Sequence, residues 1–262
     1  IPFPPYGMAT TVEDAVTVAE GIGYPILVRP SYVLGGQGMR IAINKDEVAD
    51  YVANILTLFP NNEILLDRFL EDAIEVDVDC LCDGDEVWIA GVMQHIEPAG
   101  VHSGDSTAVI PPFSLSDETI GVIEETVAQI AKRLGVVGMM NTQLAVQTVD
   151  GVDHVYVIEA NPRASRTVPF VAKATGVPVA RIGAKLMMGA KLKDFREAGD
   201  LESSLTGFAV KEPVFSWDKF PEVTKELGPE MKSTGEAIAF VDDITAEQIA
   251  KPFEMRNLYL SR

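Results

Sequence analysis

The chain has 262 residues, 47% hydrophobic and 23% charged, enough for one large domain or two smaller ones sharing an interface. Lys and Arg number 21 against 39 Asp and Glu, a net charge of −18, and a surface of that sign repels nucleic acid and anionic membranes alike. The composition therefore reads as a small-molecule protein with no nucleic-acid and no membrane partner, in which any phosphate ligand must be met by a local cluster of basic side chains.

Taken in order, IPFPPYG reads as a linker outside the fold. TVEDAVTVAEGIG follows as a helix: Thr11 can cap it, Glu13 and Asp14 suit its first turn, and Gly21 or Gly23 ends it. YPILVRPSYV is an apolar strand broken at Pro30, then the loop LGGQG and the strand MRIAI. NKDEVADYVANILTLF is an amphipathic helix and EILLDRFL a strand. AIEVDVDCLC alternates, with Val76, Val78, Cys80 and Cys82 on one face and Glu75, Asp77 and Asp79 on the other. Cys80 and Cys82 are too close along a strand for an easy disulfide and lack metal-type spacing, so they read as buried small hydrophobes in a reducing compartment.

EVWIAGVMQHI returns after an Asp83-Gly84 turn, and the helix DETIGVIEETVAQIAKRLG closes at Gly135. MNTQLAVQTV and HVYVIEA form a hairpin around Asp150-Gly151, and short helices in VPFVAKATG and VARIGAKLMM complete the compact part, residues 1–190. Residues 191–262 carry fewer periodic runs and read as a C-terminal extension with partners elsewhere in a longer chain. No apolar run approaches the roughly 18 residues of a membrane span, and the N-terminus lacks a basic-then-apolar signal pattern. The fold class is α+β.

Three stretches bring chemistry together. VYVIEANPRASRT reads as a strand entering a core, yet it ends in Glu159, Asn161, Arg163 and Arg166. An odd-numbered hairpin loop centred on Gly151 would set Gln143 opposite Glu159 and Asn141 opposite Asn161, sharing one face. Such a set of amide and carboxylate oxygens suits a hard cation that keeps water and phosphate ligands, namely Mg²⁺. An even loop would put Gln143 on the other face, and apolar alternation leaves both open. Arg163 and Arg166 beside a metal carboxylate suit phosphoryl transfer; surface ion pairing is the plainer alternative. In RPSYVLGGQG, the glycines Gly35, Gly36 and Gly38 allow close backbone approach to phosphate, although no Gly-Lys-Ser/Thr follows and the loop is not a Walker A. In HIEPAGVHSGDS, two His and several acids crowd one segment without a zinc pattern or a Ser-His-Asp order.

In this order and spacing, RPSYVLGG, EVDVD, HIEPAGVHSGDS, MNTQ, EANPRASRTVPFVAKATG and LGPEMKSTGE resemble the large subunit of carbamoyl phosphate synthetase, across about Gly23 to Glu236. SYVLGG, EVDVD and AGVHSGDS resemble its C-terminal half, which phosphorylates carbamate. The resemblance implies an ATP-grasp fold, two α+β subdomains holding ATP between them. It implies Gln143, Glu159 and Asn161 as Mg²⁺ or Mn²⁺ ligands, and it favours the odd hairpin loop. Arg163 and Arg166 are implied near the phosphoryl group and the substrate anion. Arg29, Gly35 and Gly36 match the ATP-binding strand and loop; Arg68, Leu70 and Glu75 match the nucleoside segment. Gly100, Val101, His102 and Ser103 match the loop lining the nucleotide site.

Family members also bind K⁺, for which Glu75, His95, Glu97 and Val101 are the matching residues. The resemblance further implies a cytoplasmic ligase of arginine and pyrimidine biosynthesis that uses a carbamate or bicarbonate-derived substrate. In the longer chain so implied, its partners are a glutamine amidotransferase small subunit and the other synthetase half. A further ATP-contacting Arg, with a small domain preceding, would lie upstream and a regulatory domain downstream. The rival readings are another ATP-grasp carboxylate ligase, such as a biotin-dependent carboxylase, and a nucleotide-binding fragment without turnover.

Overall fold

The computed structural model describes residues 1–31, 38–60 and 62–244. Two sheets organise it. The smaller has strand order β1-β4-β2-β3, built from β1 (Tyr6–Ala9), β2 (Ile26–Pro30), β3 (Arg40–Ala42) and β4 (Ile64–Arg68). Helices α1 (Val12–Ile22) and α2 (Lys45–Leu58) cover one of its faces. Both helices start where the sequence provides an acceptor: Thr11 Oγ1 takes the Asp14 N–H at 3.1 Å and Asn44 Oδ1 the Glu47 N–H at 2.9 Å. Gly23, with φ 90°, turns the chain out of α1. Alternate residues Ile26 and Val28, Ile64 and Leu66 face those helices and are fully buried. Leu27, Arg29, Leu65 and Asp67 lie on the opposite face, which lines the cleft.

The segment read as a linker belongs to this unit. Tyr6–Ala9 pairs antiparallel with β4, and the Pro2 carbonyl accepts the Val157 N–H at 2.9 Å, so the N-terminal residues bridge the two sheets.

The larger sheet has seven strands in the order β11-β10-β7-β6-β5-β8-β9. Its strands are β5 (Ile74–Asp83), β6 (Val87–His95), β7 (Ala108–Ile110), β8 (Val137–Val149), β9 (Val152–Asn161), β10 (Phe208–Val214) and β11 (Gly235–Val241). Helix α3 (Asp117–Leu134) packs Ile123, Val127, Ile130 and Ala131 onto Val76, Val78, Cys80, Cys82, Met140 and Leu144. Each large apolar side chain so buried contributes roughly 1.5–3 kcal/mol. Ser116 caps the start of α3, and the helix closes at left-handed Gly135 as the sequence indicates. The two cysteines are free, buried members of this layer.

The opposite face changes character along its length. Around Leu81, Met93 and Met139 it is apolar, under α4 (Val168–Thr175) and α5 (Val179–Met187). Toward Asp79, Asp77 and Glu75 it turns polar, and there the cleft opens. Residues assigned from sequence to an extension pack into this unit. Leu192 and Phe195 of α6 (Leu192–Glu197), with Leu201 and Ala209, join the apolar layer under α4 and α5. β10 pairs with β7 through Ala209↔Ile110 and Lys211↔Ala108. Strand β9 is an edge strand: only Val155 of its apolar run is buried, while Tyr156, Val157 and Ile158 are half-exposed, the last two lining the cleft.

Candidate active site

The β8–β9 hairpin sets the site. Its loop has two residues, Asp150 and Gly151, both left-handed (φ 50° and 79°) and flanked by the pair Val149↔Val152. Two such residues in succession make the tight turn that matches strand twist. The loop is therefore even, contrary to the odd loop that the resemblance favours, and an unbroken ladder would put Gln143 and Glu159 on opposite faces. Instead the register steps between Leu144↔Val157 and Gln143↔Glu159, leaving Ile158 as one extra residue. This β-bulge shifts the strand by one position and restores the shared face. Gln143↔Glu159 and Asn141↔Asn161 are the pairs observed.

On the neighbouring strand, Asp77 pairs with Gln143 and Asp79 with Asn141. Two polar rows thus cross three strands: Asp77, Gln143, Glu159 and Asp79, Asn141, Asn161. Their members divide the work. Asn141 is buried, and its Nδ2 donates to Asp79 at 3.0 Å and Asp77 at 3.3 Å. Gln143 Nε2 donates to Ser103 Oγ at 2.9 Å and Asn161 Nδ2 to Glu159 Oε1 at 2.8 Å. With those amide nitrogens engaged, the carbonyl oxygens of Gln143 and Asn161 and the Glu159 carboxylate are the groups suited to a cation. Among the described residues, no group of three or more His, Cys, Asp and Glu side chains could hold a metal. A single carboxylate with amide oxygens fits Mg²⁺, which takes few protein ligands and completes its shell with water and phosphate.

The buried acids act on neighbouring elements. Asp79 accepts from Ser165 Oγ at 2.7 Å and from Thr167 Oγ1 at 2.5 Å, so β5 anchors the loop that carries Arg163 and Arg166. Burial raises its pKa to about 6 against the lowering effect of those hydrogen bonds. His95 lies between Asp77 (Nε2 to Oδ2, 3.1 Å) and Glu75 (Nδ1 to Oε2, 3.5 Å). Burial alone would lower its pKa, but the two carboxylates prevail and raise it to about 9, so the ring carries both protons at neutral pH. His102 is shifted the other way by burial and by Arg166. Its Nδ1 accepts the Gly104 N–H at 3.0 Å, which places the proton of the neutral ring on Nε2.

Two chambers meet in the cleft. One, of about 460 Å³, is mainly apolar, lined by Phe3, Met8, Leu27, Leu65, Phe69, Leu70, Ala145 and Val157, with Arg68 and Asp67 among its polar members. The other, of about 490 Å³, is polar, lined by Val101, His102, Ser103, Gln143, Glu159, Asn161, Arg163, Arg166 and Lys211. Arg29, Glu75, Gly100 and Ile158 border both. Arg29 is held there by Asp67 at 2.7 Å and Glu75 by the Gly100 N–H at 2.9 Å. The LGPEMKSTGE segment folds over the polar chamber. Gly228 O accepts the His102 N–H, Asp105 takes the Lys232 and Ser233 N–H groups at 2.8 Å each, and Arg166 Nη1 contacts Met231 Sδ.

The residues singled out from sequence for ATP and Mg²⁺ therefore border this cleft, apart from Gly38, which lines neither chamber, and Gly35 and Gly36, which lie outside the described residues. Of the K⁺ set, Glu75 and Val101 line the polar chamber and His95 stands behind them. Glu97 is engaged by the Thr107 N–H and hydroxyl at 2.6 and 3.1 Å. Sequence reasoning missed the lining from Phe3, Tyr6 and Met8, the anchoring by Asp79, Ser165 and Thr167, and Lys211. For Asp77 and Asp79 a signal existed: acids on a strand whose other face is wholly apolar.

Paired α+β units with a cleft between two antiparallel sheets define the ATP-grasp fold. Similar solved structures carry it. The biotin carboxylase domain of Hydrogenobacter thermophilus 2-oxoglutarate carboxylase, in complex with MgADP, ADP and bicarbonate, aligns over 98% of this chain and 61% of its own (TM-score 0.73, 20% identity). Campylobacter jejuni biotin carboxylase, in complex with β,γ-ATP, covers 93% and 60% (TM-score 0.72, 17% identity). The family model for the ATP binding domain of the carbamoyl-phosphate synthase L chain matches residues 3–195, and the chain belongs to that family. Among its relatives, the carbamoyl phosphate synthase large chain of Methanothermobacter thermautotrophicus is 56% identical over 240 residues, 91% of this chain, and that of Acidobacterium capsulatum 51% identical over 255 residues, 96% of it. The chain spans 22% and 23% of the length of these two relatives.

Proposed function

We propose that this chain is an ATP-grasp ligase unit of a carbamoyl phosphate synthase large chain, and that it phosphorylates carbamate with ATP to give carbamoyl phosphate and ADP. The observation that carries the reading is the joining of an apolar chamber to a polar one that gathers Gln143, Glu159 and Asn161 with two exposed Arg. A purine fits the first chamber and a triphosphate the second. Glu75, fixed by the Gly100 N–H at the border, would meet the ribose, with Arg68 and Leu70 alongside the nucleoside. Arg29, the 100–103 loop and the Gly35-Gly36 loop would bind the phosphates.

Gln143, Glu159 and Asn161 would hold Mg²⁺ or Mn²⁺, which supplies charge neutralisation between the phosphates. Arg163 and Arg166 take up the charge that develops on the transferred group, and the Asp79 anchor fixes their loop before substrate arrives. Because attack is by the substrate's own oxygen, the protein needs no covalent nucleophile; it positions the reactants and excludes water. His95, with both ring nitrogens turned to carboxylates, has no side-chain lone pair for K⁺. A K⁺ ion there would be held by oxygens of Glu75, Glu97 and Val101. The small subunit, the other synthetase half, the two biosynthetic pathways and the cytoplasmic location belong to the same proposal. Among the described residues, no helix is long and apolar enough to cross a membrane.

Titration with ADP, with and without Mg²⁺, tests the cleft assignment. The expected result is a Mg²⁺-dependent gain in affinity that Glu159→Gln abolishes. Equal affinity with and without the metal in the unaltered chain would contradict it.

A further inference from the structure

We propose that Lys211 is the contact for the carboxylate of the small anion that accepts the phosphoryl group. The assignment rests on the phosphoryl-transfer reading of the cleft and names a residue for its acceptor. Lys211 lies on β10, is 2% exposed and lines the polar chamber with Arg163 and Arg166. Its Nζ donates to the Ser103 carbonyl at 3.0 Å. No carboxylate oxygen among the described residues comes within 4.0 Å of it. An ammonium has three donors, and burying one without a close counter-charge is costly unless a ligand supplies the charge.

Four carboxylates reach it through their field: Asp77, Glu236, Glu97 and Asp105. Three are committed elsewhere: Asp77 to His95 and Asn141, Glu97 to Thr107, and Asp105 to the Lys232 and Ser233 amides. Glu236, exposed on β11, lines the same polar chamber but stands more than 4.0 Å from the ammonium. The charge is thus balanced at a distance and open at the contact. Burial holds the pKa of Lys211 below its ordinary value, against the pull of those acids.

Position separates an acceptor from a nucleotide phosphate. Lys211 does not border the apolar chamber. Ser103 links it to the cation ligands, since its carbonyl meets Lys211 and its hydroxyl meets Gln143. An anion on Lys211 therefore lies beside the proposed metal set, on the side away from the base. A planar carboxylate there is neutralised while one of its oxygens forms the new P–O bond and the bond from phosphorus to the ADP oxygen breaks. Carbamate and ATP carry the same total charge as carbamoyl phosphate and ADP, so Lys211 keeps its protons throughout.

The test compares the unaltered chain with Lys211→Met and Lys211→Gln. Probes are ¹³C-bicarbonate, isosteric with carbamate, and inorganic phosphate, each titrated with MgADP present, and MgADP alone by calorimetry. Bicarbonate affinity is expected to fall about tenfold or more in both variants, the loss of a charge-assisted contact. Affinities for MgADP and phosphate should stay within about twofold, with a thermal midpoint equal or higher because a buried charge has gone. Unchanged bicarbonate affinity would overturn the assignment. So would a parallel loss of MgADP or phosphate affinity, or failure of both variants to fold. Lys211-dependent bicarbonate binding in a chain that takes up no MgADP would support Lys211 and defeat the nucleotide reading. MgADP binding without any bicarbonate binding would do the reverse.

Discussion

His95 is a buried imidazolium held by two carboxylates, and its protonation is linked to folding. Its pKa is raised from the ordinary 6.5 to about 9. The stabilisation it contributes is therefore fully present below pH 6.5 and is lost as the pH rises through about 9. A shift of that size corresponds to something on the order of 3 kcal/mol. Urea unfolding between pH 6.5 and 10 should show stability falling across that window, with the slope absent in His95→Gln; a slope that persists in the variant would place its origin elsewhere. Asp79 shows why charge can be buried here at all: Ser165, Thr167 and Asn141 each give it a hydrogen bond. Thr167→Val should lower kcat about fivefold, since a net hydrogen bond contributes on the order of 1 kcal/mol, while ADP affinity stays constant. Equal kcat in the variant would show that the anchor does not position the Arg loop.

At the scale of elements, the β8–β9 hairpin decides which face the proposed metal ligands share. Asp150-Gly151 was readable as a turn and MNTQ with EAN as its chemical ends, but the bulge at Ile158 was not. An apolar run of Val, Tyr, Val and Ile carries no mark of the residue at which the ladder slips, because a bulge is fixed by the packing of both strands. The residue pairs came out as expected while the reason for them did not. Deleting Ile158 should remove the bulge, leave a regular ladder and keep Glu159 opposite Gln143 and Asn161 opposite Asn141. Mg²⁺-dependent tightening of ADP should then persist, and its loss in the deletion variant would show that pairing alone does not set the metal ligands. Helix ends were legible for a simpler reason: Thr11 and Gly135 act within one turn of their own position.

Across the whole molecule, what escaped the sequence was long-range. Tyr6–Ala9 and Phe208–Val214 become strands only by pairing with partners far along the chain, β4 and β7. Neither stretch announces this locally, and the burial of Lys211 follows from it. Ending the chain at residue 190 should remove β10 and β11 and uncover the apolar layer that Leu192, Phe195 and Ala209 complete. A marked fall in thermal midpoint is expected, and an unchanged midpoint would show that residues 192–241 add nothing to the fold. The net charge of −18 sets the other global condition, for phosphate must enter this field where Arg163, Arg166 and Arg29 gather. The central claim is that this cleft transfers a phosphoryl group, and the most direct measurement is ATP formation from ADP and carbamoyl phosphate with Mg²⁺ and K⁺, in the unaltered chain and in Glu159→Gln. ATP formed by the first and not by the second is the predicted result; no ATP from an unaltered chain that still binds MgADP, or equal formation by both, would contradict the account.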